Sequence, residues 1–218
     1  MIPQPQPLIR GILQADQFRQ QLSYSLHQET LGSTPITIAK HAQVYNCGDS
    51  DGLLYFIESG QVKLLMLSPE DRECLLAIHT TGDVFGEMCL SGAGTRMETA
   101  TAMEETVLKQ IPGRQFFARL CRDSLFLVGF VQYLAVRIAD QQQVITNLTT
   151  EDSEQRLGKT LLRLAKTLGI KTPDNTCIPL RITHEELSEM VGTTRPRISV
   201  FMQRFKALGL IDTDVDRF

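Results

Sequence analysis

The order of apolar and polar positions divides the chain into stretches of different period. Residues 8–31 carry a loose helical spacing (Leu8, Ile12, Leu13, Phe18, Leu22, Leu26) behind a Pro/Gln-rich start, residues 1–7, that is expected to be disordered. From Pro35 to Pro112 the pattern shortens into runs rich in β-branched and aromatic residues, at 36–39, 53–58, 62–67, 73–79, 84–85, 99–102 and 107–111. Turn signals separate them at 47–49, 59–60, 68–71, 81–83 and 91–94. Short strands with glycine corners and no helix between them predict an antiparallel β roll of the jelly-roll kind. Beyond Pro112 the helical period returns, giving an α+β chain.

A long helix is expected from about Arg114 to Thr149, broken near Arg122-Asp123. Within it Leu127, Val131, Leu134, Ile138, Gln141, Ile145 and Leu148 alternate in steps of four and three, a heptad seam sustained for about three repeats. Such a narrow seam suits pairing with a second copy of the same helix. A helix lying against the β domain is the other reading. Gln141 fits either a register device or a ligand contact. Residues 150–153 read as a hinge, followed by an amphipathic helix on Leu157, Leu161, Leu164 and Leu168 that Gly169 closes. A turn-rich loop at 171–176 and a strand at 178–182 come next.

Residues 183–206 hold the densest local signals. Thr183 and Glu186 form a capping box, Leu187 and Val191 give one apolar face, and Gly192 supplies a helix-ending corner. Thr193 or Thr194 can cap a second helix with Pro196 in its first turn. Ile198, Phe201, Met202, Phe205 and Leu208 line its apolar face, while Arg195, Arg197, Ser199, Val200, Gln203 and Arg204 lie opposite. This is the pattern of a helix-turn-helix whose second helix enters the DNA major groove. An ordinary helical hairpin with a solvated basic face is the plainer alternative.

Composition changes this picture little. The 218 residues are 42% hydrophobic and 22% charged, ordinary for a soluble chain, with a net charge of −3. The charge is uneven: 11 Lys/Arg face 8 Asp/Glu from Ser153 onward, +3, which leaves −6 for residues 1–152. The five cysteines (Cys47, Cys74, Cys89, Cys121, Cys177) are scattered with no Cys-x-x-Cys pair, so neither a zinc site nor a disulfide framework is indicated. With no signal-peptide pattern and no apolar run of membrane-spanning length, a cytoplasmic location without membrane contact is expected. No catalytic constellation or metal-ligand spacing is visible, so the chain is not expected to be an enzyme.

The order of β roll, long helix and helix-turn-helix resembles the CRP/FNR family of bacterial transcription regulators over about residues 30–211. The stretch from His41 through Tyr45, Gly48 and Leu54 to Lys63 resembles the family's first roll strands. Gly82-Asp83-Val84-Phe85-Gly86-Glu87 resembles the entrance to its phosphate-binding cassette, and 182–195 its DNA-reading motif. The resemblance implies a β-roll sensor domain at 1–113, a dimerisation helix at 114–150 and a winged helix-turn-helix at 151–218. One wing strand is expected at 208–211; the second is missing from the pattern, so the wing is either abbreviated or truncated.

In cyclic-nucleotide-binding members a Gly-Glu pair meets the ribose and an adjacent Arg-hydroxyl pair grips the phosphate. Gly86 and Glu87 match the first half. The second half reads Thr95-Arg96-Met97-Glu98-Thr99-Ala100, so aligning Arg96 with the family arginine places Met97 at the hydroxyl, and aligning Thr99 places Glu98 at the arginine. Either way a carboxylate stands where an anion should bind. Glu87 with Arg96, or Arg96 with Glu98, are the ion pairs this suggests. Gln141 and Gln142 fall where the dimer helix reaches the base in cyclic-AMP binders. No cofactor is certain: cyclic AMP is implied by the resemblance and opposed by the broken pair. Iron–sulfur and haem sensing find no ligand set beyond the isolated Cys74 and His79, and a thiol switch rests on Cys47 or Cys89 alone.

By the same resemblance the base-contacting positions fall on Arg195, Pro196 and Val200. Arg195 suits guanine and Val200 a thymine methyl. Thr183, Thr194, Arg197, Ser199 and Gln203 are placed for phosphates or neighbouring bases. The implied partners are double-stranded DNA with a two-fold operator, a second copy of the chain, and RNA polymerase. Two alternatives stand beside this: a cyclic-AMP-responsive regulator with an atypical pocket, and a sensor acting mainly through protein partners.

Overall fold

The computed structural model describes residues 6–69, 73–92, 94–173, 175–179 and 182–212. They fall into two compact units, one holding the chain up to Met66 together with Leu76–Gln142, the other Leu67–Leu75 together with the chain from Gln143 onward. After an opening helix, α1 (Gln6–His27), come eight strands among the described residues: β1 (Thr34–Ile38), β2 (Gln43–Tyr45), β3 (Leu53–Ser59), β4 (Gln61–Leu67), β5 (Glu73–Thr80), β6 (Val84–Phe85), β7 (Thr99–Ala102) and β8 (Thr106–Pro112). They form two four-stranded sheets in the orders β1-β8-β3-β6 and β2-β7-β4-β5. Every strand pair whose register is described here is antiparallel.

The roll interior is filled by Tyr45, Tyr55, Ile57, Val62, Leu64, Phe85, Ala100 and Leu108. A second core lies on the outer face of the first sheet. There α1 (Gln6–His27), α2 (Gly113–Arg122) and α3 (Ser124–Thr150) bring Phe18, Leu22, Phe116, Phe126, Phe130 and Tyr133 against Leu54, Phe56, Val84 and Ile111. β3 is therefore covered on both faces, which is why its sequence is an unbroken apolar run instead of an alternating one. Phe18 is the hub, with ring centroids 5.3 Å from Phe126 and from Tyr133 and 5.5 Å from Phe130. Truncating such a residue to alanine costs about 3–5 kcal/mol.

Several details depart from the sequence expectations. β2 is absent from the runs read by apolar pattern, though it falls in the stretch that resembles the family's first roll strands: at three residues with a polar first position it is too short to show a period. Gln6 and Pro7 open α1 instead of extending a disordered start, and proline is tolerated in a helix's first turn; residues 1–5 lie outside the described residues. The break between α2 and α3 is made by Asp123, whose carboxylate accepts the N–H groups of Leu125 and Phe126 at 3.1 Å each. Ser91 to Gly94, expected as a turn, is entered through a short 3-10 helix at Glu87–Ser91.

The second unit contains α4 (Ser153–Leu168), β9 (Ile170–Lys171), β10 (Thr176–Cys177), α5 (His184–Val191) and α6 (Arg195–Ala207). Asp152 and Gln155 form a capping box that starts α4 two residues after α3 ends. The expected loop at 171–176 is a hairpin, with Lys171 opposite Thr176 and Ile170 opposite Cys177. The strand expected at 178–182 is absent at Ile178, Pro179 and Ile182, and Leu180 and Arg181 lie outside the described residues. Pro179 has no N–H to give a ladder. The wing strand expected at 208–211 is instead a turn and coil, in which Leu208 and Leu210 donate back to the carbonyls of Arg204 and Phe205. Residues 213–218, on which the second wing strand turns, lie outside the described residues.

Candidate nucleic-acid interface and effector cassette

The capping box at the head of α5 is formed in both directions. Thr183 Oγ1 accepts the Glu186 N–H at 3.1 Å, and the Glu186 carboxylate accepts the Thr183 N–H at 2.9 Å. Gly192 turns the chain in the left-handed region at φ 67°. Thr194 is the N-cap of α6, though its side chain makes no cap bond, and Pro196 follows in the first turn. Leu187, Met190, Val191 and Ile198 are buried where α5 and α6 meet, with Phe201, Met202 and Phe205 half-buried. The expected apolar face stops there, because Leu208 lies past the helix end and is exposed.

The outer face of α6 presents Arg195, Pro196, Arg197, Val200 and Gln203 to solvent, and Thr183 and Thr194 are exposed beside it. Val200 is 61% exposed, high for an apolar side chain. Arg195 pairs with no carboxylate among the described residues, and the Arg197 guanidinium lies over the Phe201 ring at 5.9 Å. Ser199 is engaged internally: it donates to the Arg195 carbonyl at 3.2 Å and meets His184 Nδ1 at 2.9 Å. Arg204 is tied to Glu154 of α4 at 2.9 Å.

Arg156 had no signal in the sequence beyond its place on α4. Its Nε donates to the Val191 carbonyl at 2.8 Å, Nη2 to the Gly192 carbonyl at 3.3 Å, and Nη1 to the Glu151 carbonyl at 2.7 Å. A cation on the last carbonyls of α5 satisfies orphan acceptors and complements the helix dipole. It also fixes the corner from which α6 departs.

In the roll, every charged cassette candidate has an internal partner. Arg96 is buried; Nη1 donates to the Gly86 carbonyl at 2.8 Å, and Nη2 donates to the Asp51 carboxylate and to the Leu53 carbonyl. Its guanidinium carbon lies 4.1 Å from the Tyr45 ring centroid and 5.7 Å from that of Tyr55. Burial lowers the Arg96 pKa, but Asp51, Tyr45 and Tyr55 together outweigh it and the net shift is upward. Glu98, also buried, accepts the Tyr45 hydroxyl at 2.8 Å, and Thr99 Oγ1 accepts the Cys47 N–H at 3.1 Å. Glu87 pairs with Arg137 of α3 at 2.9 Å. The ion pairs expected between Glu87 and Arg96, or Arg96 and Glu98, are thus replaced by Arg96–Asp51 and Glu87–Arg137. Asp51 and Arg137 were missed because their partners lie 45 and 50 residues away in sequence.

Behind β6 lies a second polar cluster. Asp83 is buried; it accepts Arg19 Nη2 at 2.6 Å and the Thr80 N–H at 2.9 Å, with His79 Nδ1 at 3.7 Å. Burial would raise its carboxyl, but His79, Arg19 and the Thr80 N–H together hold it down at about 2. Tyr133 of α3 exchanges hydrogen bonds with both backbone groups of Val84, and burial, with Asp83, pushes its phenol up to about 12.

On α3 one side, Phe126, Phe130 and Tyr133, is buried in the core. The seam residues Leu127, Val131, Ile138, Ile145 and Leu148 are between 41% and 60% exposed, while Leu134 is half-buried against that core. Gln141 and Gln142 are exposed. One face of the helix therefore lies on the roll, and the other is open in the single chain. Among the described residues no group of three or more His, Cys, Asp and Glu could hold a metal, and no helix is long and apolar enough to cross a membrane. Cys47 is exposed; Cys89 is half-buried, with its thiol pKa raised by burial.

Comparison with known proteins agrees in both halves. The cyclic nucleotide-binding domain family matches residues 35–123, and the Crp-like helix-turn-helix domain family residues 155–217. The Cyclic AMP receptor protein of Thermus thermophilus is 29% identical over 170 residues, 77% of this chain and 74% of its own. A CRP-like cAMP-activated global transcriptional regulator of Mycobacterium tuberculosis is 26% identical over 177 residues, 81% of this chain and 79% of its own. Among solved structures, a CooA variant from Carboxydothermus hydrogenoformans aligns with a TM-score of 0.70 at 27% identity, over 85% of this chain and 81% of that one.

Proposed function

The chain belongs to the CRP/FNR family of bacterial transcription regulators, and on that premise we propose that it binds a two-fold DNA operator as a homodimer without needing a cyclic nucleotide. The family is one of regulators, not enzymes. In this reading 1–113 is the sensor domain, 114–150 the dimerisation helix and 151–218 the DNA-binding domain.

The observation that carries the proposal is the outer face of α6, where Arg195, Pro196, Arg197 and Val200 stand exposed at the N-terminal end after a glycine corner. Side chains at that end of a recognition helix reach base edges. Arg195 supplies a bidentate donor for guanine and Val200 an apolar surface for a thymine methyl. Pro196 offers no side-chain hydrogen bond, so base reading there is by shape. Thr183, Thr194, Arg197 and Gln203 serve the flanking phosphates or neighbouring bases, and Ser199 acts by holding His184. Homodimer formation is supported by the open seam on α3, which leaves Val131, Ile138 and Ile145 in water in a single chain.

Independence from cyclic AMP is supported by the cassette's internal pairing. Gly86, Glu87, Arg96 and Glu98 already have protein partners. The named relatives' cyclic AMP does not transfer to such a pocket. RNA polymerase is the protein partner the family reading carries, and the cytoplasm the place of action.

Footprinting of the purified chain on DNA selected from a random pool tests this, alongside sedimentation. A dimer protecting two inverted half-sites about 10 base pairs apart is expected. A monomer in sedimentation, or selected sites without two-fold symmetry, contradicts it.

A further inference from the structure

Asp51 has two faces. Its carboxylate lies against the buried Arg96 guanidinium, yet its side chain is 25% exposed where that of Arg96 is 3% exposed. Both oxygens are used: Oδ1 receives Arg96 Nη2 and the Leu53 N–H at 3.0 Å, and Oδ2 receives the Tyr55 hydroxyl at 2.9 Å. A guanidinium, a backbone N–H and a hydroxyl converging on two oxygens form the donor set of a carboxylate- or phosphate-binding site. Here the bound anion is part of the chain.

The pocket beside it is open. Asp49, Asp51, Thr95, Arg96 and Arg114 line a cavity of about 520 Å³ together with backbone at Gly52 and Gly113. Asp51 and the arginine it pairs with therefore both border this cavity, with Asp51 the more exposed of the two. The arrangement leaves no slack on the far side, because Gly86 sits where an added Cβ would come 2.8 Å from Arg96 Nη1. Glu98 does not neutralise Arg96; it is spent on the Tyr45 hydroxyl.

We infer that Asp51 is an intramolecular ligand: it occupies the anion site of Arg96, and removing its carboxylate opens that site to a free small carboxylate or phosphate from the adjoining cavity. The site is thus permanently filled in the native chain, and the roll has an anion site without anion dependence. The inference holds whether or not the chain binds DNA, since it concerns the roll alone.

The test is chemical rescue on the full chain. Asp51→Ala is expected to lower the melting temperature by about 5 °C, as loss of one partner of a largely buried pair should. Sodium formate or inorganic phosphate should restore most of that loss in a saturable way, while sodium chloride at equal ionic strength should not. The native chain should show neither a shift nor heat of binding with the same probes. Asp51→Asn fills the space without the charge, so it should be destabilised and not rescued, and it covers the case in which Asp51→Ala does not fold. Formate acting equally on the native chain and on Asp51→Ala would overturn the inference, as would an Asp51→Asn chain with native stability.

Discussion

Arg195 begins α6 with its side chain in solvent and no carboxylate partner among the described residues, whereas Arg96 is buried against Asp51, two carbonyls and the Tyr45 ring. In sequence the two had the same standing, each an arginine at a family anion-contacting or base-contacting position. What separates them is the free energy of exchanging present partners for new ones. Arg195 gives up water to meet a base or phosphate; Arg96 would have to give up the Asp51 carboxylate, two carbonyls and the Tyr45 ring around a buried guanidinium. Residue type names the chemistry, and the surrounding partners decide whether it is available.

Substitutions separate the two arginines sharply. Arg96→Gln leaves Asp51 without its cation and is expected to cost about 3 kcal/mol in chemical unfolding, the low end for a broken buried pair because Asp51 keeps some solvent. Arg195→Gln should leave stability within about 0.5 kcal/mol yet weaken operator binding by up to about 3 kcal/mol, measured by fluorescence anisotropy. The opposite allocation, with Arg96→Gln stable but Arg195→Gln unfolded, would invert the comparison.

A second buried pair sharpens it. Asp83 is held at about 2 against an ordinary value of 3.8, with Arg19 and His79 as partners. A carboxyl depressed on folding stabilises the native state above its unfolded pKa and loses that contribution as pH falls through the folded value. Roughly 2 kcal/mol should therefore be present above pH 4 and vanish toward pH 2. Urea unfolding as a function of pH should show this slope in the native chain and a weaker one in Asp83→Asn. On the DNA-reading side the smallest effect belongs to Thr183→Ala, which removes half of a capping box and should cost about 1 kcal/mol by thermal unfolding.

The same contrast explains what the sequence made legible. The helix-turn-helix is specified by signals a few residues apart, from the Thr183–Glu186 box to the Gly192 corner, so its geometry was open to reading from the chain. The alternating roll strands were legible for the same reason, apart from β2, whose three residues carry no period. At 178–182 apolar density alone suggests a strand, but none forms at Ile178, Pro179 or Ile182, and Pro179 has no N–H to give a ladder. Cassette pairing was hidden for another reason. Tyr45 meets Glu98 across 53 residues and Asp51 meets Arg96 across 45, and such partners are chosen by sheet register, not by local pattern. Arg156 was hidden likewise, since its partners are carbonyls, which no side-chain pattern announces.

Whether Arg195 is open to DNA while Arg96 stays with its internal partners can be read by titrating the native chain onto its selected operator with and without cyclic AMP. One binding curve is expected, unchanged by millimolar cyclic AMP. A saturable gain in operator affinity as the nucleotide is added would contradict it, because the cassette would then be exchanging its internal partners for a ligand.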